Sequence, residues 1–267
     1  NCRPRRGQTF SPASFFMTVR THCLLALVYG QFHWLRCEWQ HQRQSQSQYS
    51  PPQPPLANPM TLRKSPQSVD ALENLGRERL SPSFFMRDFL YSEVANHYGL
   101  RNVPDDPALA LHAGRQLCTE LLEPLQQAFG RIAIRSGYRS SAVNQRCNEG
   151  KHGCAANTAN YAAHIWDQRD AAGHCGAMAC VVVPWFADQV EHHGADWRAM
   201  AYWIHNHLPY NTLQFFPKLC AFNIGWYEGP PQRSIHSYIQ PTGYLLRGEP
   251  PNPAFAAHYA HFPAAQR

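Results

Sequence analysis

The first 59 residues of this 267-residue chain contain almost no acidic side chains. Glu38 is the only carboxylate among them, against six arginines, so this stretch carries +5 of the formal net charge of +6. The remainder of the chain is therefore nearly neutral. We expect no nucleic-acid partner, because a nucleic-acid-binding domain concentrates Lys and Arg on its own folded surface.

The motifs of several common enzyme classes are also missing. The chain has no GxxxxGK[ST] phosphate loop, no GxSxG nucleophile turn and no glycine-rich dinucleotide fingerprint, so kinase and serine-hydrolase functions have no support. The apolar patch from Cys23 to Leu35 is too short to span a bilayer, which needs about 20 residues. We therefore expect no membrane span.

Composition divides the chain into three parts. Residues 38–59 are rich in Gln, Ser and Pro, and such a segment buries too little apolar surface to offset its chain entropy. Residues 1–59 are predicted to be a disordered leader or an over-extended start, with a signal-peptide core at Cys23–Leu35 as an alternative. The folded domain is predicted over 60–245, and the Pro-, Ala- and His-rich residues 246–267 are predicted to be a loose tail.

The apolar pattern predicts an α+β fold. Apolar residues recur at helical spacing in three segments, at 84–100, 108–129 and 196–208. Alternating or β-rich runs predict four strands, at 132–135, 177–183, 219–226 and 234–239. Residues 145–163 are rich in small residues and are predicted to be a loop. This order suggests helices packed on one side of a mainly antiparallel sheet.

Six of the nine cysteines lie after residue 60. Cys118 and Cys220 have apolar neighbours and are predicted to be buried thiols. Cys147 and Cys154 lack the tight spacing of a zinc ribbon, and both a disulfide and a structural zinc remain open for them.

The sequence RIAIRSGYRSSAVN, residues 131–144, is the stretch least easily explained by packing alone. Its predicted strand ends in a turn that presents Arg139 together with several hydroxyl groups. An arginine offers a planar fork of donors that matches a carboxylate. The turn therefore indicates a site for an anion, and a solvated arginine at a strand end is the alternative.

Three metal-ligand side chains follow on separate segments near the predicted sheet. His164, Cys180 and His236 would supply the three ligands that a catalytic zinc ion needs, with a fourth position left open for water. Other interpretations remain: Cys180 as a buried strand thiol, and His236 as a polar strand residue. A further hypothesis makes Cys180 a nucleophile paired with one of the two histidines.

Three segments carry a family resemblance: FFMRDFLYSEVANHYGLRNVP, LLEPLQQAFG and IAIRSGYRSSAVN. Together they resemble the zinc D-alanyl-D-alanine carboxypeptidase and L-alanyl-D-glutamate endopeptidase family, and in particular its phage-lysin-type branch. The similarity covers about residues 81–240 and is strongest up to residue 144. It implies a hedgehog/DD-peptidase-like fold and hydrolysis of short cell-wall peptides that contain D-amino acids.

The resemblance also implies a set of site residues. His164 stands where the family has its first zinc ligand, and SIHSY places His236 as the last. The family's aspartate falls on Cys180 after an apparent insertion, with Asp170 inside that insertion as the alternative ligand. Glu228 is the carboxylate nearest to the family's catalytic position, where it would act as general base; a turn residue is the alternative.

The remaining implications concern the substrate and the compartment. Arg139 resembles the family's corner for the substrate carboxylate, and Ser136, Tyr138 and Asn144 are predicted to contact the substrate beside it. The partner would be a peptide or a peptidoglycan stem peptide, and the compartment would be the periplasm or the cell wall. Because the aspartate is replaced and the glutamate is shifted, the second hypothesis is a degenerate member that binds a peptide or a partner without hydrolysis.

Overall fold

Six strands form one sheet in the part of the chain that the computed structural model describes, residues 64–263. The strands are β1 (Ala133–Ser136), β2 (Gly176–Val182), β3 (Thr212–Phe215), β4 (Phe222–Tyr227), β5 (Ser234–Ser237) and β6 (Gly243–Arg247). Their order is β1-β2-β4-β3-β5-β6, and only β3 and β5 pair in parallel. The predicted α+β class with a mainly antiparallel sheet is confirmed.

The helices lie mostly before β1 and between β2 and β3. They are α1 (Val69–Arg77), α2 (Glu93–Tyr98), α3 (Pro107–Leu117), α4 (Glu123–Phe129), α5 (Ser141–Glu149), α6 (Asn157–Asn160), α7 (Pro184–His193) and α8 (Trp197–His207). Three 3₁₀ segments accompany them, at Met86–Phe89, Lys218–Cys220 and Pro253–Tyr259.

The long predicted helix at 108–129 is present as α3 and α4, joined by a π-helical turn at Cys118–Leu122. Asp106 caps its start by accepting a hydrogen bond from the Leu109 amide at 3.1 Å, and Pro107 occupies the first turn, where no amide donor is needed. Gly130 follows its end with a φ of +79°, a value that glycine adopts without strain.

The core lies on one face of the sheet. Alternate residues of β2, namely Ala177, Ala179 and Val181, are fully buried on that face, and α3 packs against β2 and β4. The small side chains of the two alanines allow the helix to approach the strand closely. The neighbouring strands add larger apolar side chains to the same face: Leu213, Phe215, Phe222, Ile224 and Ile235.

The opposite face carries a row of polar side chains across the sheet. The register pairs Ser136 with Cys180, Cys180 with Asn223, Asn223 with Gln214, and Gln214 with His236. Directly paired residues point to the same face, so this row is presented on the side away from the core. The alternation along each strand therefore separates the core from a polar surface.

Several element predictions need correction. The predicted helix at 84–100 is broken into a 3₁₀ turn and α2, with extended backbone at Ser92. The predicted loop at 145–163 contains the end of α5 and all of α6. The helices α1 and α7 and the strands β3 and β6 were not predicted.

Residues 251–263 of the predicted loose tail pack against α8, so the prediction is wrong for this part. Phe255 stacks on Tyr202 with ring centroids 4.3 Å apart, and the Asn206 amide donates to the Tyr259 hydroxyl at 2.7 Å. The Pro and Ala content of this segment suggested a loose tail, but its aromatic rings provide the apolar surface that packs against the domain. This segment belongs to the same unit as the sheet.

The predicted leader, residues 1–59, lies outside the described residues. Within residues 64–263, none of the helices combines the length and the apolar character needed to cross a bilayer.

Candidate functional site

A cleft of about 590 Å³ lies on the polar face of the sheet, at the end of β1. The strand side chains Cys180, Asn223 and Gln214 line it, and the segment from His152 to His164 forms its opposite wall. Charged side chains at its rim come from Glu93, Arg135 and Arg139. The cleft is therefore lined by residues that lie far apart in the sequence, from Glu93 to Tyr238.

Arg139 is held in the wall of this cleft. Its backbone amide donates to the His164 carbonyl oxygen at 2.8 Å, and its Nη1 donates to Asn144 Oδ1 at 3.3 Å and contacts Cys154 Sγ at 3.1 Å. Burial lowers the pKa of the guanidinium, whereas Cys180 and Glu93 oppose this shift. No carboxylate of residues 64–263 lies within 4.0 Å of Arg139.

Arg135 reaches the same cleft because β1 is irregular. The register shifts between Ile134 and Ser136, so Arg135 is the extra residue of a bulge. Bulges re-aim side chains and are common beside functional sites. Ser136, one of the predicted substrate contacts, also lines the cleft.

His164 lies beneath the cleft as a neutral imidazole. Burial, with Arg139 as the second cause, lowers its pKa to about 3. Its Nδ1 lies 2.9 Å from the Gly137 carbonyl oxygen; since a carbonyl only accepts, Nδ1 carries the proton and Nε2 holds a lone pair. That Nε2 is buried and has no hydrogen-bond partner within the described residues, although the Asn223 amide is near enough to raise the pKa slightly.

Cys180 is half-buried, with its side chain in the cleft. Burial raises the pKa of its thiol, and Arg135 and Arg139 only partly offset this effect. The thiol is therefore the dominant form at neutral pH. A nucleophilic cysteine requires the opposite shift, so the geometry offers little support for the predicted Cys–His nucleophile.

Tyr138 and Asn144 do not reach the cleft, which corrects their predicted contact with a substrate. Both side chains are fully buried. The Tyr138 hydroxyl donates to Asp167 Oδ2 at 3.1 Å, and Asn144 Oδ1 accepts from Arg139 and from Asn160 Nδ2. Asn144 therefore positions the guanidinium, and Tyr138 belongs to the core behind it.

His236 lies far from His164 and Cys180, which corrects the predicted zinc ligand set. It sits on β5, three strands away from Cys180 across β4 and β3, a separation of roughly 14 Å at the usual strand spacing. Zinc ligand atoms must lie within about 4 Å of each other. The imidazole of His236 instead packs against Tyr238 and Tyr244, beside a separate cavity of about 240 Å³.

Neither of the two predicted carboxylates completes the site. Glu228 and Asp170 both lie at the other end of β2, near Gly176, where Tyr227 donates to Asp170 Oδ2 at 2.5 Å. Cys180 lies four positions along the strand from Gly176, a distance of about 13 Å. Glu228 is therefore not placed to act as a general base at the cleft, and Asp170 cannot replace Cys180 as a ligand beside His164.

A zinc ion held as in the resembled family does not fit these residues. His164 Nε2 has the buried, unpartnered lone pair expected of a ligand. However, no third ligand atom from a His, Cys, Asp or Glu of residues 64–263 joins His164 and Cys180 in a cluster. Two donors are too few for a zinc site.

Cys147 and Cys154 form a disulfide whose Cα atoms are 5.6 Å apart, which resolves the alternatives left open for this pair. The bond ties the end of α5 to the loop that forms the cleft wall. Cys118, Cys175, Cys180 and Cys220 are free thiols, and burial raises the pKa of Cys220 to about 12.

Reducing this disulfide is expected to lower the free energy of unfolding by about 2–3 kcal/mol, from the entropy of closing so short a loop. Urea unfolding with and without dithiothreitol measures the effect, and the C147S/C154S double variant is the control, because reductant should leave its midpoint unchanged. Two free thiols at these positions in the native protein would contradict the assignment.

Asn223 and Gln214 are site residues that the sequence analysis missed. Asn223 Nδ2 donates to Gln214 Oε1 at 3.0 Å, and both side chains line the cleft. The signal for Asn223 was present in the sequence, since it is a polar residue between Phe222 and Ile224 in a predicted strand. Gln214 carried no such signal, because β3 itself was not predicted.

The fold and the cleft define an α+β domain with an open polar site on the sheet face opposite its hydrophobic core. No family model matches the chain, and neither a curated protein nor a solved structure is significantly similar to it. The resemblance to the zinc carboxypeptidase and endopeptidase family therefore stays a prediction.

Proposed function

We propose that the cleft binds the carboxylate end of a short peptide without hydrolysing it. The observation that carries this proposal is Arg139, a guanidinium held in the cleft wall with no acidic partner within 4.0 Å among residues 64–263. Arg139 is half-buried, and withdrawing a charge from water without a counter-ion is costly. A bound carboxylate would supply that counter-ion in the bidentate geometry that arginine favours.

The charges around the cleft favour an anion. Two positively charged side chains, Arg135 and Arg139, and one negatively charged side chain, Glu93, line the cleft. His164 is neutral at physiological pH because burial lowers its pKa to about 3. The cleft therefore carries a net positive charge. A positively charged pocket of low dielectric concentrates anionic ligands.

Neutral polar groups in the cleft suit the backbone of a peptide. Asn160, Asn223 and Gln214 offer amide donors and acceptors next to the two arginines. The volume of about 590 Å³ lies within the usual range for small-ligand sites, about 300–1,000 Å³. A dipeptide or tripeptide with a free carboxyl end is the size of ligand that this cleft suits.

Binding is favoured over hydrolysis by the absence of the usual catalytic groups from the cleft. His236 and Glu228 lie elsewhere on the sheet, and burial keeps the Cys180 thiol protonated. Peptide hydrolysis requires an activated water or an activated nucleophile. The described residues around Arg139 provide neither.

The resemblance supplies the ligand class, namely cell-wall stem peptides that end in D-amino acids. Such peptides carry the free carboxylate that Arg139 requires. The Cys147–Cys154 disulfide suits an oxidising compartment, which agrees with a location in the periplasm or at the cell wall.

Protection of Cys180 from alkylation tests the proposal. Saturating N-acetyl-D-alanyl-D-alanine is expected to slow iodoacetamide labelling of Cys180 several-fold, because the ligand covers the half-buried thiol. Peptide mapping by mass spectrometry reports each cysteine separately, and buried Cys118 and Cys220 are internal controls whose labelling should stay slow throughout. An unchanged Cys180 rate at saturating peptide would contradict binding in this cleft, and release of D-alanine with added Zn²⁺ would favour the hydrolase instead.

A further inference from the structure

A second group of metal-ligand side chains lies at the far end of the sheet from the cleft. His112 projects from α3, Cys175 directly precedes β2, and Glu228 directly follows β4. One ligand atom from each lies within 4.8 Å of the other two. The three residues are far apart in sequence, so the fold itself brings them together.

We propose that His112, Cys175 and Glu228 bind a divalent transition-metal ion of the zinc type. Imidazole nitrogen, thiolate sulfur and carboxylate oxygen are the ligand types that zinc takes in proteins, and three protein ligands leave one coordination position open. On binding, the metal–sulfur bond replaces the S–H bond of Cys175, and the released proton passes to solvent.

This site is separate from the peptide cleft. Cys175 lies five residues before Cys180, and β2 runs between them, so the two sites are about 16 Å apart at the usual rise of an extended strand. The proposal therefore goes beyond the function assigned to the cleft. It would stand even if no peptide bound there.

Neighbouring groups hold the carboxylate in place. Glu228 Oε2 accepts hydrogen bonds from the Cys175 amide at 2.9 Å and from Arg169 Nη1 at 2.8 Å. Both bonds use the same oxygen, so the carboxylate retains Oε1 for a metal. Partners of this kind, which orient a ligand from behind, are a regular feature of metal sites.

The other two ligands differ in their exposure. Cys175 is fully buried, whereas His112 is exposed and its ring lies edge-on to Trp226 with centroids 6.2 Å apart. An ion could therefore reach the buried sulfur from the side of His112. The competing interpretation is an ordinary surface ion pair between Arg169 and Glu228 above a packed thiol.

Titration of the full chain with Co²⁺ distinguishes the two interpretations. A thiolate bound to cobalt gives an intense charge-transfer absorption in the near ultraviolet, which a carboxylate or an imidazole alone does not give. We expect this absorption to saturate at one equivalent of Co²⁺ and to disappear in C175S. H112Q is expected to weaken binding by at least about tenfold.

His174 provides a matched control. Its Nδ1 lies 3.1 Å from the Tyr227 hydroxyl, so it is close to the three ligands but is not one of them, and H174Q should bind Co²⁺ as the wild type does. R169Q should bind Co²⁺ more weakly than the wild type, because Arg169 no longer orients the Glu228 carboxylate.

Three results would overturn the proposal: no charge-transfer absorption, the same absorption in C175S, or an unchanged affinity in H112Q. If C175S does not fold, H112Q decides the question, because His112 is exposed and its replacement should leave the fold intact.

Discussion

Replacing Arg139 with methionine is expected to abolish measurable binding of short peptides with a free carboxyl end. A hydrogen bond to a charged group contributes about 1.5–3 kcal/mol, and a bidentate pair makes two of them. The loss in affinity should therefore be about a hundredfold or more. Isothermal titration calorimetry with N-acetyl-D-alanyl-D-alanine measures this loss.

R135M is the matched control for this prediction. Arg135 lines the same cleft but is exposed, and exposed charge pairs contribute little, about 0–1 kcal/mol. R135M should therefore weaken binding by only a few-fold. Equal losses in the two variants would show that the cleft attracts anions by its overall charge and does not use Arg139 as a specific carboxylate site.

Acidification from pH 7 to pH 5 is expected to lower the free energy of unfolding by about 2 kcal/mol through His164 alone. The cause is the difference between its folded pKa of about 3 and its unfolded value of about 6.5. Below pH 6.5 the unfolded chain binds a proton that the folded chain does not. Stability is thus lost progressively as the pH falls from about 6.5 towards 3.

H164N isolates this contribution. The asparagine amide can still donate to the Gly137 carbonyl oxygen but does not titrate. Burial also lowers the pKa of His205 and raises that of Asp167. Both groups are present in the wild type and in H164N, so their contributions cancel when the pH dependences of the two proteins are compared. Urea unfolding at several pH values should give a flatter pH dependence for H164N, and identical slopes would contradict a neutral, buried His164.

The sequence predicted the fold class because the strongest patterns belong to the core. The apolar stripe of α3 and α4 and the run Ala177–Val183 both fill the interior, where burial requires regular spacing. The short strands β3 and β6 and the packing of residues 251–263 were not predicted. Their stability comes from pairing and from aromatic contacts with distant residues, which local periodicity does not report.

The candidate site was predicted only where local sequence determines it. The turn after β1 presents Arg139 as expected, since the strand and its turn are contiguous in the chain. The position of His236 depends on strand order instead. Two intervening strands, one of them unpredicted, separate it from Cys180, and no spacing along the sequence reveals that distance.

Strand order also explains why the group formed by His112, Cys175 and Glu228 was not predicted. Glu228 and Cys175 are adjacent only because Gly176 pairs with Tyr227 in the sheet, and His112 joins them because α3 crosses β2 and β4. Glu228 was predicted to be a general base beside His164, but it lies at the opposite end of β2 from the cleft. The pairing of distant strands therefore decides which side chains lie beside a carboxylate, and so which role the carboxylate can have.

The central claim is that the cleft recognises a free peptide carboxylate through Arg139. The most direct test is a pair of calorimetric titrations of the wild-type chain, one with N-acetyl-D-alanyl-D-alanine and one with its C-terminal amide. We predict saturable binding of the acid and at least about tenfold weaker binding of the amide. Equal affinity for the two ligands, or no binding of the acid, would contradict the claim.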